Sequence, residues 1–148
     1  MTKLFWMLVL VCGVGFAQET DYCSKIQTNT DKFSGVIKYN SPRLERITFL
    51  KEKGIIDIRI DIPGSTLNVN EKGVILLLED GSKINRPNQK ISVDYNDGYR
   101  YSAYFQLTKL EIQRIIKSPI TDVKLYIYDA EIFEPLKYSE YLKCLSKI

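Results

Sequence analysis

Residues 73–128 read GVILLLEDGSKINRPNQKISVDYNDGYRYSAYFQLTKLEIQRIIKSPITDVKLYIY, and this stretch decides the fold. Its first part, Val74 to Leu78, is a run of five apolar residues that predicts a central strand covered on both faces. Asp80-Gly81 follows and is typical of a hairpin with a type I′ turn. Residues 99–107 then alternate between apolar and polar, as a strand with one buried face does.

The second half of the stretch predicts a hairpin turn and one helix. Asn96-Asp97-Gly98 is the second tight-turn signal. Thr108 and Glu111 have the spacing of a capping box, and Pro119 ends the periodic pattern, so a helix is predicted over residues 108–117. Beyond Pro119, Val123, Leu125 and Ile127 make one face of a further strand.

Working outward, the remaining segments also read as strands joined by turns. The pattern predicts a turn at residues 86–88 and strands at residues 31–39 (with Gly35 as a bulge), 47–49, 55–62, 66–70, 82–85 and 91–95. The tail from Leu136 to Leu145 has nearly helical spacing but no clear cap, which leaves a C-terminal helix and an extended tail as alternatives.

The predicted fold class is mostly β, an antiparallel two-sheet sandwich or an open barrel with one short helix at about 108–117 and a second helix at the C-terminus. The alternative is an α+β two-layer fold, since the residues after Leu107 leave room for a crossover to a parallel strand. There is no repeat or linker, so residues 18–148 are predicted to form a single β-rich domain.

Residues 1–17 have the features of a secretory signal peptide. Lys3 precedes an apolar run from Leu4 to Phe16, and Gly15-Phe16-Ala17 is a small-x-small cleavage site. A membrane-spanning helix needs about 20 apolar residues, which this run does not reach. A lipoprotein signal would use Cys12, but Val11 stands where a small residue is needed. We expect export to the periplasm, the cell surface or the extracellular medium, without a transmembrane anchor.

Two cysteines remain after the signal, Cys23 and Cys144, near the two ends of the mature chain. In an oxidising compartment an even count of two permits one intramolecular disulfide. Two buried free thiols are the alternative. Two thiols without histidine do not make a four-ligand zinc site, so no metal is expected.

Composition excludes large classes of chemistry. The chain has no histidine, and it has no mature phosphate-binding glycine loop, so histidine-dependent hydrolysis and nucleotide cofactors are not expected. Removing Lys3 leaves 20 basic against 18 acidic residues, a net charge of +2, which does not favour nucleic acid. Carboxylates that a glycosidase could pair are explained equally well as solvated or turn residues: Asp57, Asp61, Asp80, Asp94 and Asp97. We expect no enzyme activity and no cofactor.

A surface strip of tyrosines is the candidate binding site. Tyr104, Tyr126 and Tyr128 alternate out of phase with the predicted core, and Arg100 and Lys124 share their faces. Exposed tyrosine rings bind peptides or sugar faces at little entropic cost. The alternative is that a second sheet or the helix covers these rings.

Three segments resemble a group of small, uncharacterised secreted proteins from Bacteroidetes-type bacteria. They are LNVNEKGVILLLEDGSK, ISVDYNDGYRYSAYFQLTKLEI and SPITDVKLYIYD, within a similarity that covers roughly residues 31–129. The shared motifs are structural, and the resemblance implies an exported bacterial domain without an assigned activity. Because the sequence carries no catalytic motif, we expect a non-catalytic binding or structural module whose partner is a protein or glycan of the cell envelope. The alternative is a secreted inhibitor of a hydrolase.

Overall fold

Two antiparallel β-sheets enclose the hydrophobic core of this protein. The computed structural model describes residues 21–43 and 46–148. The predicted signal peptide, residues 1–17, and the predicted start of the mature chain at Gln18 lie outside the described residues. No helix in the described part of the chain is long and apolar enough to cross a membrane.

The secondary structure comprises ten strands, two α-helices and one short 3-10 turn within the described residues. The strands, in chain order, are β1 (Gln27–Thr30), β2 (Ile37–Asn40), β3 (Ile47–Glu52), β4 (Ile55–Gly64), β5 (Lys72–Leu78), β6 (Lys83–Lys90), β7 (Ser92–Tyr95), β8 (Tyr99–Gln106), β9 (Ile120–Leu125) and β10 (Tyr128–Glu131). The helices are α1 (Lys109–Lys117) and α2 (Pro135–Lys147), and the 3-10 turn spans Cys23–Lys25.

The larger sheet has the strand order β1-β2-β3-β4-β8-β7, and the smaller sheet has the order β10-β9-β5-β6. Every pair of neighbouring strands is antiparallel. This architecture confirms the predicted two-sheet sandwich, not the open barrel or the α+β alternative. The crossover left open after Leu107 does not occur, because β9 pairs antiparallel with β5.

Alternation in β4 and β8 places their apolar residues in the core, as the sequence predicts. Side chains of a strand point alternately to the two faces of its sheet. The register pairs Ile58 with Phe105 and Ile60 with Ala103. The buried apolar residues of the two strands are Ile56, Ile58, Ile60, Ile62, Tyr101, Ala103 and Phe105.

Strand β5 lies in the interior of the smaller sheet, but only one of its faces is fully buried. Val74, Leu76 and Leu78 are at most 1% exposed, whereas Ile75 and Leu77 are partly exposed. The prediction that this strand is covered on both faces is therefore wrong. The apolar run reflects its central place in the sheet and not a second layer over it.

The predicted hairpin at Asp80-Gly81 forms, but with a different turn. Only Gly81 has a positive φ, whereas a type I′ turn needs positive φ at both central residues. The Gly81 N–H donates to the Leu78 carbonyl, and the Leu78 N–H donates to the Ser82 carbonyl. One glycine in the left-handed region is enough for this connection.

The predicted capping box begins α1. The Glu111 N–H donates to Thr108 Oγ1 at 3.2 Å, and the Thr108 N–H donates to Glu111 Oε2 at 2.8 Å. Arg86 on β6 also donates to this carboxylate, from Nε to Oε1 at 3.0 Å. Burial favours a higher pKa for Glu111, but the hydrogen bonds from Thr108 and Arg86 outweigh it and hold that pKa below its usual value.

The predicted C-terminal helix is α2, and it covers core that the smaller sheet does not reach. It packs against β3, β9 and α1 and buries Tyr138, Leu142 and Leu145. The Lys51 ammonium donates to the Leu145 carbonyl at 3.0 Å, a favourable place for a cation near a helix C-terminus. The predicted disulfide is also confirmed: Cys23 and Cys144 are bonded, with Cα atoms 5.3 Å apart.

The predicted turn at residues 86–88 is wrong, because Pro87 lies inside β6. Strand β6 is the edge of the smaller sheet, where a missing N–H is tolerated. After Ile91 the chain crosses to the larger sheet as β7. The Gln89 Nε2 on β6 donates to the Tyr104 carbonyl on β8 at 3.1 Å. Tyr104 lies beyond the residues of β8 that pair with β7.

The predicted strand over residues 31–39 forms only at its end, in β2, and is wrong over residues 31–36. Residues 31–36 connect β1 to β2, and the Asp31 carboxylate accepts hydrogen bonds from the Phe33 N–H at 2.9 Å and the Ser34 N–H at 2.8 Å. These bonds to nearby backbone favour a turn over a strand. Gly35 has a φ of 69° in this connection, and the Phe33 side chain is fully exposed.

Candidate binding site

The predicted tyrosine strip does not exist as one surface. Tyr104 and Arg100 alternate with the buried residues of β8 and lie on the outer face of the larger sheet. Lys124 alternates with the buried residues of β9 and lies on the outer face of the smaller sheet, on the opposite side of the sandwich. Tyr126 is in the turn between β9 and β10, and Tyr128 is on β10. The five residues are therefore distributed over three regions.

Tyr128 lies on the inner side of the smaller sheet, against the prediction. Its register partner is Leu125, which is fully buried, and its ring lies 4.6 Å from the buried Tyr101 ring. The cause is the turn that precedes it. Tyr126 has a φ of 58°, so the chain reverses there, and Ile127 is 55% exposed instead of continuing the face of β9.

Tyr104 is 54% exposed but its hydroxyl is engaged within the larger sheet. The hydroxyl donates to Asp57 Oδ2 on β4 at 2.7 Å. Partial burial, together with this bond to a carboxylate, raises the pKa of Tyr104 to about 12. Tyr104 therefore stays protonated at neutral pH and ties β8 to β4, which leaves only its ring face for a ligand.

The carboxylates considered for catalysis mostly have partners of their own. Asp61 accepts from Arg59 Nε at 2.9 Å and from the Ser102 hydroxyl, and Asp80 accepts from the Ser82 N–H in a hairpin turn. Asp94 and Asp97 belong to β7 and the hairpin turn after it. Across residues 21–43 and 46–148, no three His, Cys, Asp or Glu side chains form a group that could hold a metal ion.

Several connections meet at one end of the sandwich, which we call the loop end. Gly64 pairs with Tyr99 at this end of the larger sheet, and the hydrogen bonds from Thr66 to Tyr128 and from Asn68 to Tyr101 bring the start of β5 and the end of β9 to the same place. The β4–β5 connection (residues 65–71), the β7–β8 turn (residues 96–98) and the β9–β10 turn (residues 126–127) consequently share it. Both helices lie at or near the other end.

Residues 65–71, here called the anchored loop, are tied to two tyrosine hydroxyls. The Tyr101 hydroxyl donates to the Thr66 carbonyl at 2.8 Å and accepts from the Asn68 N–H at 3.0 Å. The Tyr128 hydroxyl accepts from the Thr66 N–H at 3.0 Å and lies 2.6 Å from Thr66 Oγ1. Because both rings are packed on the core, these bonds hold the loop backbone in one place.

The same bonds change the chemistry of Tyr128. Hydrogen bonds from the hydroxyls of Ser65 and Thr66, with the Thr66 N–H, stabilise its phenolate and lower the pKa of Tyr128 to about 8. The anchored loop also presents apolar side chains to solvent: Leu67 is 58% exposed and Val69 is 62% exposed. A backbone held by buried side chains with exposed apolar tips is typical of a binding loop.

The sequence predicted residues 66–70 as a strand with Leu67 and Val69 on one side. This prediction is wrong, because the segment pairs with no strand and both side chains are exposed. Its alternation is real, since Asn68 points toward Tyr101 while its two neighbours are exposed. The available signal was the run of Ser, Thr and Asn around Leu67, which is more typical of a loop.

Comparison of the chain with models of known protein families, with curated proteins and with solved structures found no significant match.

Proposed function

We propose that this protein is a non-catalytic binding module that is exported to the periplasm, the cell surface or the medium and binds a partner protein through the anchored loop. The observation that carries this proposal is the exposure of Leu67 and Val69 on a backbone that the hydroxyls of Tyr101 and Tyr128 hold in place. Exposed apolar side chains on a fixed loop favour a partner with an apolar groove. A glycan offers less apolar surface to such side chains.

Export is supported by the sequence features of residues 1–17 and by the disulfide between Cys23 and Cys144. Disulfides persist in oxidising compartments and are rare in the cytosol. In such compartments a binding loop meets partners on other cell-envelope or extracellular proteins.

The anchored loop can contribute appreciable binding free energy. Full burial of a Leu or Val side chain contributes about 1.5–3 kcal/mol, and roughly three fifths of each side chain here is available for burial. The two together contribute roughly 2–3 kcal/mol, equivalent to roughly 30- to 150-fold in affinity. Little of this is lost to ordering the loop, because its backbone is already held by the Tyr101 and Tyr128 hydroxyls.

The test is a comparison of three immobilised versions of the mature chain with envelope extract and culture medium of the producing cells. The versions are wild type, L67S/V69S, and a matched control, L110S/L136S. Leu110 and Leu136 are each 66% exposed but lie on the helices, away from the loop end.

A partner retained by the wild type and by L110S/L136S, but bound roughly 30- to 150-fold more weakly by L67S/V69S, supports the proposal. Equal retention by all three versions refutes it. Far-ultraviolet circular dichroism of the variants shows whether the fold is kept, which we expect because all four side chains are exposed.

A second candidate is inhibition of a hydrolase, favoured by the same fixed and exposed loop. An inhibitor loop must resist rearrangement in the enzyme groove, and the tyrosine hydrogen bonds supply that resistance. The two candidates differ in the nature of the partner. A captured hydrolase whose turnover falls in proportion to added protein favours inhibition, and an unaffected or non-enzymatic partner excludes it.

A further inference from the structure

A second surface at the loop end is a cleft of about 700 Å³. Its lining includes the end of β4, Arg43, Arg46, the β7–β8 turn at residues 96–98 and Arg100. Its volume lies in the range of small-ligand sites, roughly 300–1,000 Å³. The cleft is lined by residues other than Leu67 and Val69 and is independent of the anchored loop.

The three arginines of this cleft differ from the other three arginines of the chain. Outside the cleft, Arg59 pairs with Asp61, Arg86 pairs with Glu111, and Arg114 donates to Ser82 Oγ at 3.0 Å.

By contrast, Arg43, Arg46 and Arg100 have no ion pair or side-chain hydrogen bond to any other described residue. Every arginine without a partner among the described residues therefore lies at the same cleft.

The carboxylates at the cleft do not neutralise these arginines. Asp61 lines the cleft, but Arg59 holds it through Nε and Nη2 at 2.9 and 3.2 Å, and the Ser102 hydroxyl donates to it as well. Asp97 is the other acid in the lining. Among the described lining residues, with Arg59 and Asp61 counted as a neutral pair, three arginines stand against the single carboxylate of Asp97, a net charge of +2.

We propose that this cleft binds a sugar-sized anion that carries two carboxylate or phosphate groups. A planar guanidinium donates two parallel hydrogen bonds to such groups, which lysine does not do. Two anionic groups match the local charge of +2, and the separate positions of Arg43 and Arg100 allow one arginine to contact each group. The ring of Tyr99 in the lining adds a surface for the carbon skeleton.

The test is isothermal titration calorimetry of the mature chain at one fixed ionic strength. The probes are galactarate, a sugar-derived dicarboxylate, and glucose 1,6-bisphosphate, with galactitol as the neutral counterpart of galactarate. The variants are R43Q and R100Q in the cleft, with K124Q as the matched control. Lys124 is exposed on the outer face of the smaller sheet, so K124Q removes the same charge from elsewhere.

We expect at least one dianion to bind one to one with a dissociation constant of about 1 mM or tighter, and galactitol not to bind. R43Q and R100Q should each weaken binding roughly tenfold, whereas K124Q should not. The preferred probe identifies carboxylate or phosphate as the natural group. L67S/V69S should bind the anion as wild type does, which separates this proposal from the function of the anchored loop.

Absence of binding by both dianions up to about 1 mM overturns the proposal. An equal loss of affinity for the dianion in K124Q and R100Q also overturns the proposal. Binding would then be due to the net charge of the protein and not to this cleft. Because Arg43 and Arg100 are exposed and lie on different segments, at least one cleft variant should keep the fold.

Discussion

Replacement of Cys23 by serine is expected to remove a large part of the stability of this protein. The disulfide joins the 3-10 turn Cys23–Lys25 to α2, and 121 residues separate the two cysteines. Cys23 is exposed, so serine at this position leaves no cavity, and Cys144 stays in its buried place. The change therefore tests the covalent link and little else.

The magnitude follows from the loop that the disulfide closes. For 121 residues the chain-entropy relation gives about 5 kcal/mol at 25 °C. The measured loss of stability should be somewhat smaller than this figure. The 3-10 turn buries no residue and is docked mainly by the disulfide and by the contact of Tyr22 with Tyr141. Without the link, this segment also becomes freer in the folded state. We expect a loss of about 3–5 kcal/mol, a large share of the usual 5–15 kcal/mol of a domain.

The assay is urea unfolding of the wild type and C23S, each with and without dithiothreitol. Reduced wild type should match C23S, and dithiothreitol should not affect C23S, which controls for effects of the serine itself. A loss below about 1 kcal/mol would refute the loop-closure reasoning. Alkylation of two thiols in the native exported protein would show that the link is absent.

Three further changes test individual contacts. Thr108→Ala should lower the free energy of unfolding by about 1 kcal/mol by removing the oxygen that caps α1, and an unchanged urea midpoint would contradict this. Gly64→Ala should lower the free energy of unfolding by roughly 1–3 kcal/mol, because a Cβ at this position would lie 2.6 Å from a Tyr101 ring carbon. An unchanged free energy of unfolding would mean that the Tyr101 ring moves aside freely. In a spectrophotometric titration one tyrosine should ionise near pH 8 in the wild type but not in Y128F, and Tyr104 should ionise near pH 12. Because the pKa of Tyr128 in the folded protein is below the usual tyrosine value of about 10, its ionisation should add stability relative to Y128F as pH rises from about 8 to 10, and none below pH 8. An early ionisation that survives in Y128F would refute the assignment.

The features that the sequence predicted correctly depend on neighbours in the chain. Every second residue from Ile56 to Ile62 is buried because a strand alternates its side chains whatever its partner is. The side chains of Thr108 and Glu111 each accept a hydrogen bond from the other residue's backbone N–H, within one helical turn. Cys23 and Cys144 could be paired because no other cysteines remain after the predicted signal.

The features that the sequence did not predict depend on which other segments of the chain a stretch contacts. Residues 66–70 alternate like a strand, but no neighbouring strand pairs with them, and the Tyr101 and Tyr128 hydroxyls bond the loop backbone instead. The face of Tyr128 depends on where the β9–β10 turn falls. A shift of one residue moves a side chain to the opposite face of a sheet, and the positive φ of Tyr126 sets that position.

The sequence by itself determined the strand periodicity, the cap of α1, the cysteine pair and the absence of histidine chemistry. Only the tertiary structure decided that the anchored loop and the arginine-lined cleft lie at the same end of the sandwich. Arg43 and Arg100 are more than fifty residues apart in the chain and meet because β4 pairs with both β3 and β8. Strand order is set by which backbones supply each other's hydrogen bonds, and no local pattern specifies that choice.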